Sequence, residues 1–158
     1  MIKKIIIFIS IMLFVNACDY KPLYSTNNVS NFNIVSLEIK GDKNINNFLE
    51  RNFRVYQNKN SEKNYKISLN TAYSKDILAK DKTANTTDYK LTVSVEMIYS
   101  VDEIDIKEKT EKKIIFSEVL NIKKDTNNFE QANYENISKI NLSEIILNKI
   151  IVFLNSRQ

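Results

Sequence analysis

Cys18 is the one thiol in a 158-residue chain that has no histidine and no tryptophan. With no second cysteine it has no disulfide partner in the chain, and with no histidine it has no imidazole to activate it as a nucleophile. The same absences remove Ser-His and Cys-His catalysis and the usual zinc ligand sets. Gly41 is the only glycine, so no glycine-rich phosphate loop can form. Carboxylates remain as candidates for acid–base work, and Asp102, Glu103 and Asp105 lie close together in sequence. They sit in a run of alternating charge that ends at Lys113, which is the pattern of a solvated hairpin. The expectation is a chain without catalytic residues, metal site or cofactor, in which the chemistry to be explained is that of Cys18.

The residues before Cys18 supply a context. Lys3 and Lys4 give a positive start, Ile5 to Val15 carry no charge, and Asn16 and Ala17 lead into the cysteine. A basic start, an apolar stretch of about ten residues and a small residue before the cut make a secretory signal. The stretch is too short to span a bilayer, which takes about 20 apolar residues. Val15-Asn16-Ala17-Cys18 resembles the bacterial lipoprotein signal, in which the cysteine is acylated and becomes the new N-terminus. An ordinary secretory peptide with an incidental cysteine is the plainer alternative. The resemblance implies a signal peptide over 1–17, a tether over 18–31 and a single domain over 32–158, held to a membrane by palmitate-class chains on Cys18. Each buried methylene contributes about 0.8 kcal/mol, so two or three such chains make a durable anchor.

Charge argues against a nucleic-acid partner. The chain holds 23 basic and 19 acidic residues, and removal of Lys3 and Lys4 leaves 21 against 19, a net of +2. That is too near neutral to draw a polyanion by charge alone.

The elements follow from periodicity. Val35, Leu37 and Ile39 alternate with polar neighbours, as in a half-buried strand. Asp42 or Asn44 is placed to cap a helix. Ile45, Phe48, Leu49, Phe53 and Tyr56 then recur at helical spacing, as a face that packs on a core or, alternatively, lies on a membrane surface. Tyr65, Ile67, Leu69 and Tyr73 predict a second strand with room to continue to Leu78, and Asp81 to Thr83 a turn. The clearest alternation is Tyr89, Leu91, Val93, Val95, Met97, Tyr99 and Val101, with Ile98 the apolar exception on the other side. A fourth strand falls near Ile114 to Ile122, where poor alternation leaves its register open. From Thr126 to the end there is no Gly or Pro. Ile146, Leu147, Ile150, Ile151, Phe153 and Leu154 share one helical arc, and the length of the segment favours helix over strand. Strand, helix, three strands, helix predicts an α+β fold, with two helices packed on one four-stranded, antiparallel-rich mixed sheet.

At the start of the mature chain, Cys18-Asp19-Tyr20-Lys21-Pro22-Leu23-Tyr24 resembles the LptE-like lipopolysaccharide-assembly lipoproteins of α-proteobacterial type. Ala79 to Ala84 followed by Tyr89-Lys90-Leu91-Thr92-Val93 is similar to that family's central hairpin, and Asn133-Tyr134-Glu135-Asn136 through Leu154 to its long final helix. The resemblance implies a lipid-anchored protein on the periplasmic side of the outer membrane. There it would plug the LptD-type β-barrel, assist the barrel's assembly and serve lipopolysaccharide export. A periplasmic lipid-binding or transport-auxiliary lipoprotein is the alternative. If the resemblance holds, Thr92, Ser94 and Ile98 form a mildly polar stripe suited to the barrel. Lys75, Lys80 and Lys82, around one turn, would meet lipopolysaccharide phosphates, or else are ordinary surface lysines.

Overall fold

The computed structural model describes residues 32–57, 61, 63–102 and 111–156. Cys18, the signal-like segment and the tether lie outside these residues, as do Glu103 and Asp105. Strand β1 spans Phe32–Gly41, helix α1 Lys43–Phe53, β2 Lys63–Lys80, β3 Thr86–Asp102, β4 Lys112–Lys123 and helix α2 Asn128–Ser156. The sheet order is β1-β2-β3-β4. β1 and β2 run parallel, joined through α1, while β2-β3-β4 is an antiparallel meander. The α+β architecture predicted from the pattern is the one observed: two helices on a four-stranded mixed sheet.

β1 departs from its sequence pattern at one residue. Phe32 and Ile34 are buried, but Val35, expected to face the core, is 54% exposed. The register against β2 shifts between Ile34 and Ser36, so Val35 occupies a bulge. The extra residue resets the side-chain phase, which returns Leu37 and Ile39 to the packed side. The strand ends at Gly41, whose φ is +114°, and a Cβ there would lie 1.9 Å from the Thr71 carbonyl oxygen. Only glycine allows both that dihedral and that approach. Asp42 follows at once as the cap of α1, its carboxylate accepting from the Asn44 and Ile45 amides at 2.9 and 3.1 Å. Ile45, Leu49 and Phe53 are fully buried on the core side of that helix.

β3 carries the centre of the core. Leu91, Val93, Val95 and Met97 have no exposed surface, and each such side chain contributes about 1.5–3 kcal/mol by leaving water. β4 resolves the register left open by the sequence. Ile114, Phe116, Leu120 and Ile122 turn to the packed side, while Ile115 and Val119 are exposed. One row of rings crosses the sheet from edge to edge. Tyr56 stacks on Phe32 at 5.2 Å, Phe32 meets Tyr65, Tyr65 meets Tyr99, and Phe153 of α2 touches both Tyr99 and Phe116. Tyr65 Oη donates to the Leu154 carbonyl at 3.3 Å, which ties the end of α2 to β2. At the other end of α2, Asn127 Oδ1 accepts from the Phe129 amide at 2.9 Å as the cap.

Candidate functional site

Both helices lie on one face of the sheet, so the opposite face is left to solvent. Its centre is built from alternate residues of β2, β3 and β4. Ser94 lies between Ala72 and Ser117, Thr92 between Ser74 and Val119, and Ile98 between Ser68 and Lys113. Thr92, Ser94 and Ile98 therefore share the open face, as the alternation of β3 predicted, and each is half-buried among its neighbours. Small hydroxyl and methyl groups dominate this surface. Its charged members are held in part by one another, since the Lys113 ammonium pairs with Glu96 at 2.8 Å. A shallow concavity of about 400 Å³ opens beside Ile98, with Ser36, Lys66, Ser68 and Ser100 around it. Ile115 and Val119 extend the face toward the β4 edge, and the sequence pattern missed them. Three consecutive apolar residues, Ile114 to Phe116, were the signal that β4 presents hydrophobic side chains on both sides.

The three candidate lysines divide. Lys75 points to the helix-covered side, where its ammonium pairs with Glu135 of α2 and lies 4.0 Å from the centre of the Tyr89 ring. Glu135 also accepts from Gln131 Nε2 at 2.8 Å, so Lys75 is fixed in a structural network. Lys80 and Lys82 flank the tip of the β2–β3 hairpin, exposed, and neither meets a carboxylate among the described residues. Lys75 and Lys80 are five positions apart along β2, about 16 Å at the usual rise, so the three do not form one cluster. The tip itself is ordered by Asp81. Its carboxylate accepts from the Thr83 hydroxyl, the Thr83 amide and the Asn85 amide at 2.8–2.9 Å, and Ala84 takes a left-handed φ of 65°. Those bonds, the one from the Thr83 side chain foremost, hold the Asp81 carboxyl below the usual range. Asp81 is thus committed to the turn.

Nothing among the described residues gathers the side chains for a metal site, and no helix there is long and apolar enough to cross a membrane. What the domain offers is surface, namely a smooth open sheet face and a basic hairpin tip.

No protein-family model matches the chain, and no curated protein matches it. Solved structures do. The rare lipoprotein B from Shewanella oneidensis superposes with a TM-score of 0.53 at 13% identity, covering 75% of this chain and 95% of that one. Lipoprotein B from Nitrosomonas europaea matches at 16% identity and a TM-score of 0.47, covering 77% of this chain and 83% of that one. The minor lipoprotein from Acinetobacter baumannii gives 10% identity and a TM-score of 0.43, with 74% and 92% covered. At such identities the likeness is one of fold.

Proposed function

We propose that this chain is an outer-membrane lipoprotein, anchored through Cys18 on the periplasmic side, whose domain plugs an LptD-type β-barrel and assists its assembly in lipopolysaccharide export. The observation that carries the reading is the uncovered sheet face around Thr92, Ser94 and Ile98, whose centre is built of small groups from Ala72, Ser74, Thr92, Ser94 and Ser117, with its nearest charges, Glu96 and Lys113, paired to each other. The core of a protein–protein interface is depleted of charge in the same way. The fold shared with the Shewanella rare lipoprotein B agrees with the reading, as do the lipoprotein-like Cys18 segment and the Lys-Pro-Leu-Tyr motif behind it. Depletion of the protein tests it: the amount of folded barrel in outer membranes should fall, and lipopolysaccharide export with it. Unchanged barrel levels and export would defeat the proposal.

Attachment is tested separately. A metabolically incorporated alkyne fatty acid should label the parent chain and not Cys18→Ser. Label that persists in the variant would place the acyl group elsewhere.

Lipopolysaccharide itself would meet the hairpin tip. Lys80 and Lys82 project there with ammonium groups free to form charge-assisted bonds to phosphate. Lys80→Glu combined with Lys82→Glu should weaken lipopolysaccharide binding at physiological salt and leave the melting temperature and barrel binding unchanged. Lys75→Glu should instead lower stability, because it sets a carboxylate against Glu135.

A further inference from the structure

The two edges of the sheet differ. β1 is blunted by the Val35 bulge and by Glu38 and Lys40, and Gln57 bridges to Ile34 at its start. These are the devices by which proteins prevent strands from adding to an edge. β4 has no bulge, and its one charged residue between Lys113 and Lys123 is Glu118, which points to the helix side and pairs with Lys149 of α2. Its register against β3 runs unbroken from Lys112 to Lys123, and its lysines stand at the ends. The Lys124 amide donates to the Thr87 carbonyl, in step with that register. Even-numbered residues of β4 therefore turn their backbone groups toward β3. The odd-numbered ones, Lys113 to Asn121, turn theirs to the open edge. Apolar groups flank this edge on both faces. Ile115 and Val119 are 62% and 49% exposed on the open face. On the helix side, Phe116 with Ile145 and Val152 of α2 borders an almost purely apolar concavity of about 510 Å³.

We propose that two copies of this chain join through β4, antiparallel and edge to edge, with Ser117 on the two-fold axis. In that register the apolar and end-charge positions of β4 match each other, while Phe116 faces Glu118, whose carboxylate stays paired with Lys149 of its own α2, and Lys112 faces Ile122. Ile115 faces Val119 of the second copy, Ile114 faces Leu120, and Glu111 faces Lys123, so that opposite charges meet at both ends. No like charges lie opposite one another. A slip of two residues one way sets Glu118 against its own copy, and a slip the other way separates Glu111 from Lys123 and puts Lys113 against Val119. Strands pair about 4.8 Å apart, so the two α2 helices, each lying over β3 and β4, come side by side on one face of a continuous sheet. Their exposed Ile145 and Val152 then share the apolar concavity. The pairing is isologous and closes on itself. It goes beyond the barrel reading and does not depend on it.

Cross-linking tests the register. The full chain carrying Ser117→Cys, in the membranes that hold it, is treated with a short bismaleimide. The parent chain, with Cys18 alone, gives the background. A product of twice the chain's mass is expected for Ser117→Cys, and not for Ser94→Cys at the centre of the open face. Adding Ile115→Lys and Val119→Lys should abolish the product without lowering the melting temperature, since both side chains are exposed. Absence of the product while the thiol introduced by Ser117→Cys still reacts with a monofunctional maleimide would overturn the proposal. So would equal dimer from Ser94→Cys, or a product containing a different protein, which would assign the edge to another protein's strand.

Discussion

Replacing Val95 with Asp is expected to abolish cooperative unfolding of the domain at room temperature, while Ser94→Asp, one residue away, leaves it folded. Val95 has no exposed surface and lies between Thr71 of β2 and Phe116 of β4 beneath the helices. A carboxylate placed there has no partner, and an unpaired buried charge costs on the order of several kcal/mol whether it stays ionised or takes up a proton. Domains of this size have only about 5–15 kcal/mol of stability in all. The Ser94 side chain points the other way, toward Ala72 and Ser117 on the open face, where a carboxylate keeps most of its water. Its cost should be no more than about 0.5–1 kcal/mol. Urea denaturation followed by circular dichroism separates the two, and similar midpoints would contradict the observed register. Ser94→Asp has a second use. It sets a charge at the centre of the proposed barrel-facing surface, so it should weaken barrel association in a chain that still folds.

The contrast between those neighbouring residues was legible in the sequence because β3 alternates without a break and is buried on one side only. Period-two burial leaves a strong trace when a single face is covered. β1 was misread at Val35 because a bulge inserts a residue without changing composition, and alternation cannot reveal where phase is reset. β4 was harder still, since it is apolar on both sides and Ile115 and Val119 mask the inward set. α2 was placed by its C-terminal half, where Ile146, Ile150 and Leu154 pack on the sheet. Its N-terminal half buries Gln131, Ser138, Lys139 and Ser143, polar residues that no hydropathy pattern assigns to an interior. Specific partners satisfy three of them: Gln131 accepts from the Asp125 amide, Lys139 donates to Asp42, and Ser143 donates to the Lys139 carbonyl. The candidate site divides in the same way. Thr92, Ser94 and Ile98 share a face because they share a strand and a parity, which sequence displays. That Lys75 is held in a structural network on the helix side depends on Glu135, sixty positions away in the chain.

Asp42→Ala should be among the most destabilising changes outside the apolar core, and its effect should depend on pH. Asp42 does two things at once. It caps α1, and its other carboxylate oxygen accepts from Lys139 Nζ of α2 at 3.1 Å. Lys139 is 8% exposed, and its ammonium lies 4.2 Å from the centre of the Tyr73 ring. Loss of the cap costs about 1 kcal/mol. Leaving Lys139 buried without its carboxylate costs more, about 3–5 kcal/mol for a fully buried pair and toward the lower end here, since Asp42 keeps some contact with water. Asp42→Asn should restore the cap but not the charge, and so recover only the smaller part. Lys139→Met should be milder than either, because Asp42 retains its two amide donors and the methionine stem can still lie on Tyr73. Burial acts to raise the Asp42 carboxyl, but the Ile45 amide, Lys139 and the Asn44 amide together outweigh it, and the pKa falls below its ordinary value. A carboxyl with a depressed folded-state pKa stabilises the protein fully above the unfolded value near 3.9, and that contribution disappears as pH falls through the folded value. Parent protein should therefore lose stability on acidification below about pH 4 more steeply than Asp42→Asn, the two curves converging at the acid end. Urea midpoints measured across that range check the sign. Parallel curves for the two proteins would mean that Asp42 and Lys139 do not act as a charged pair.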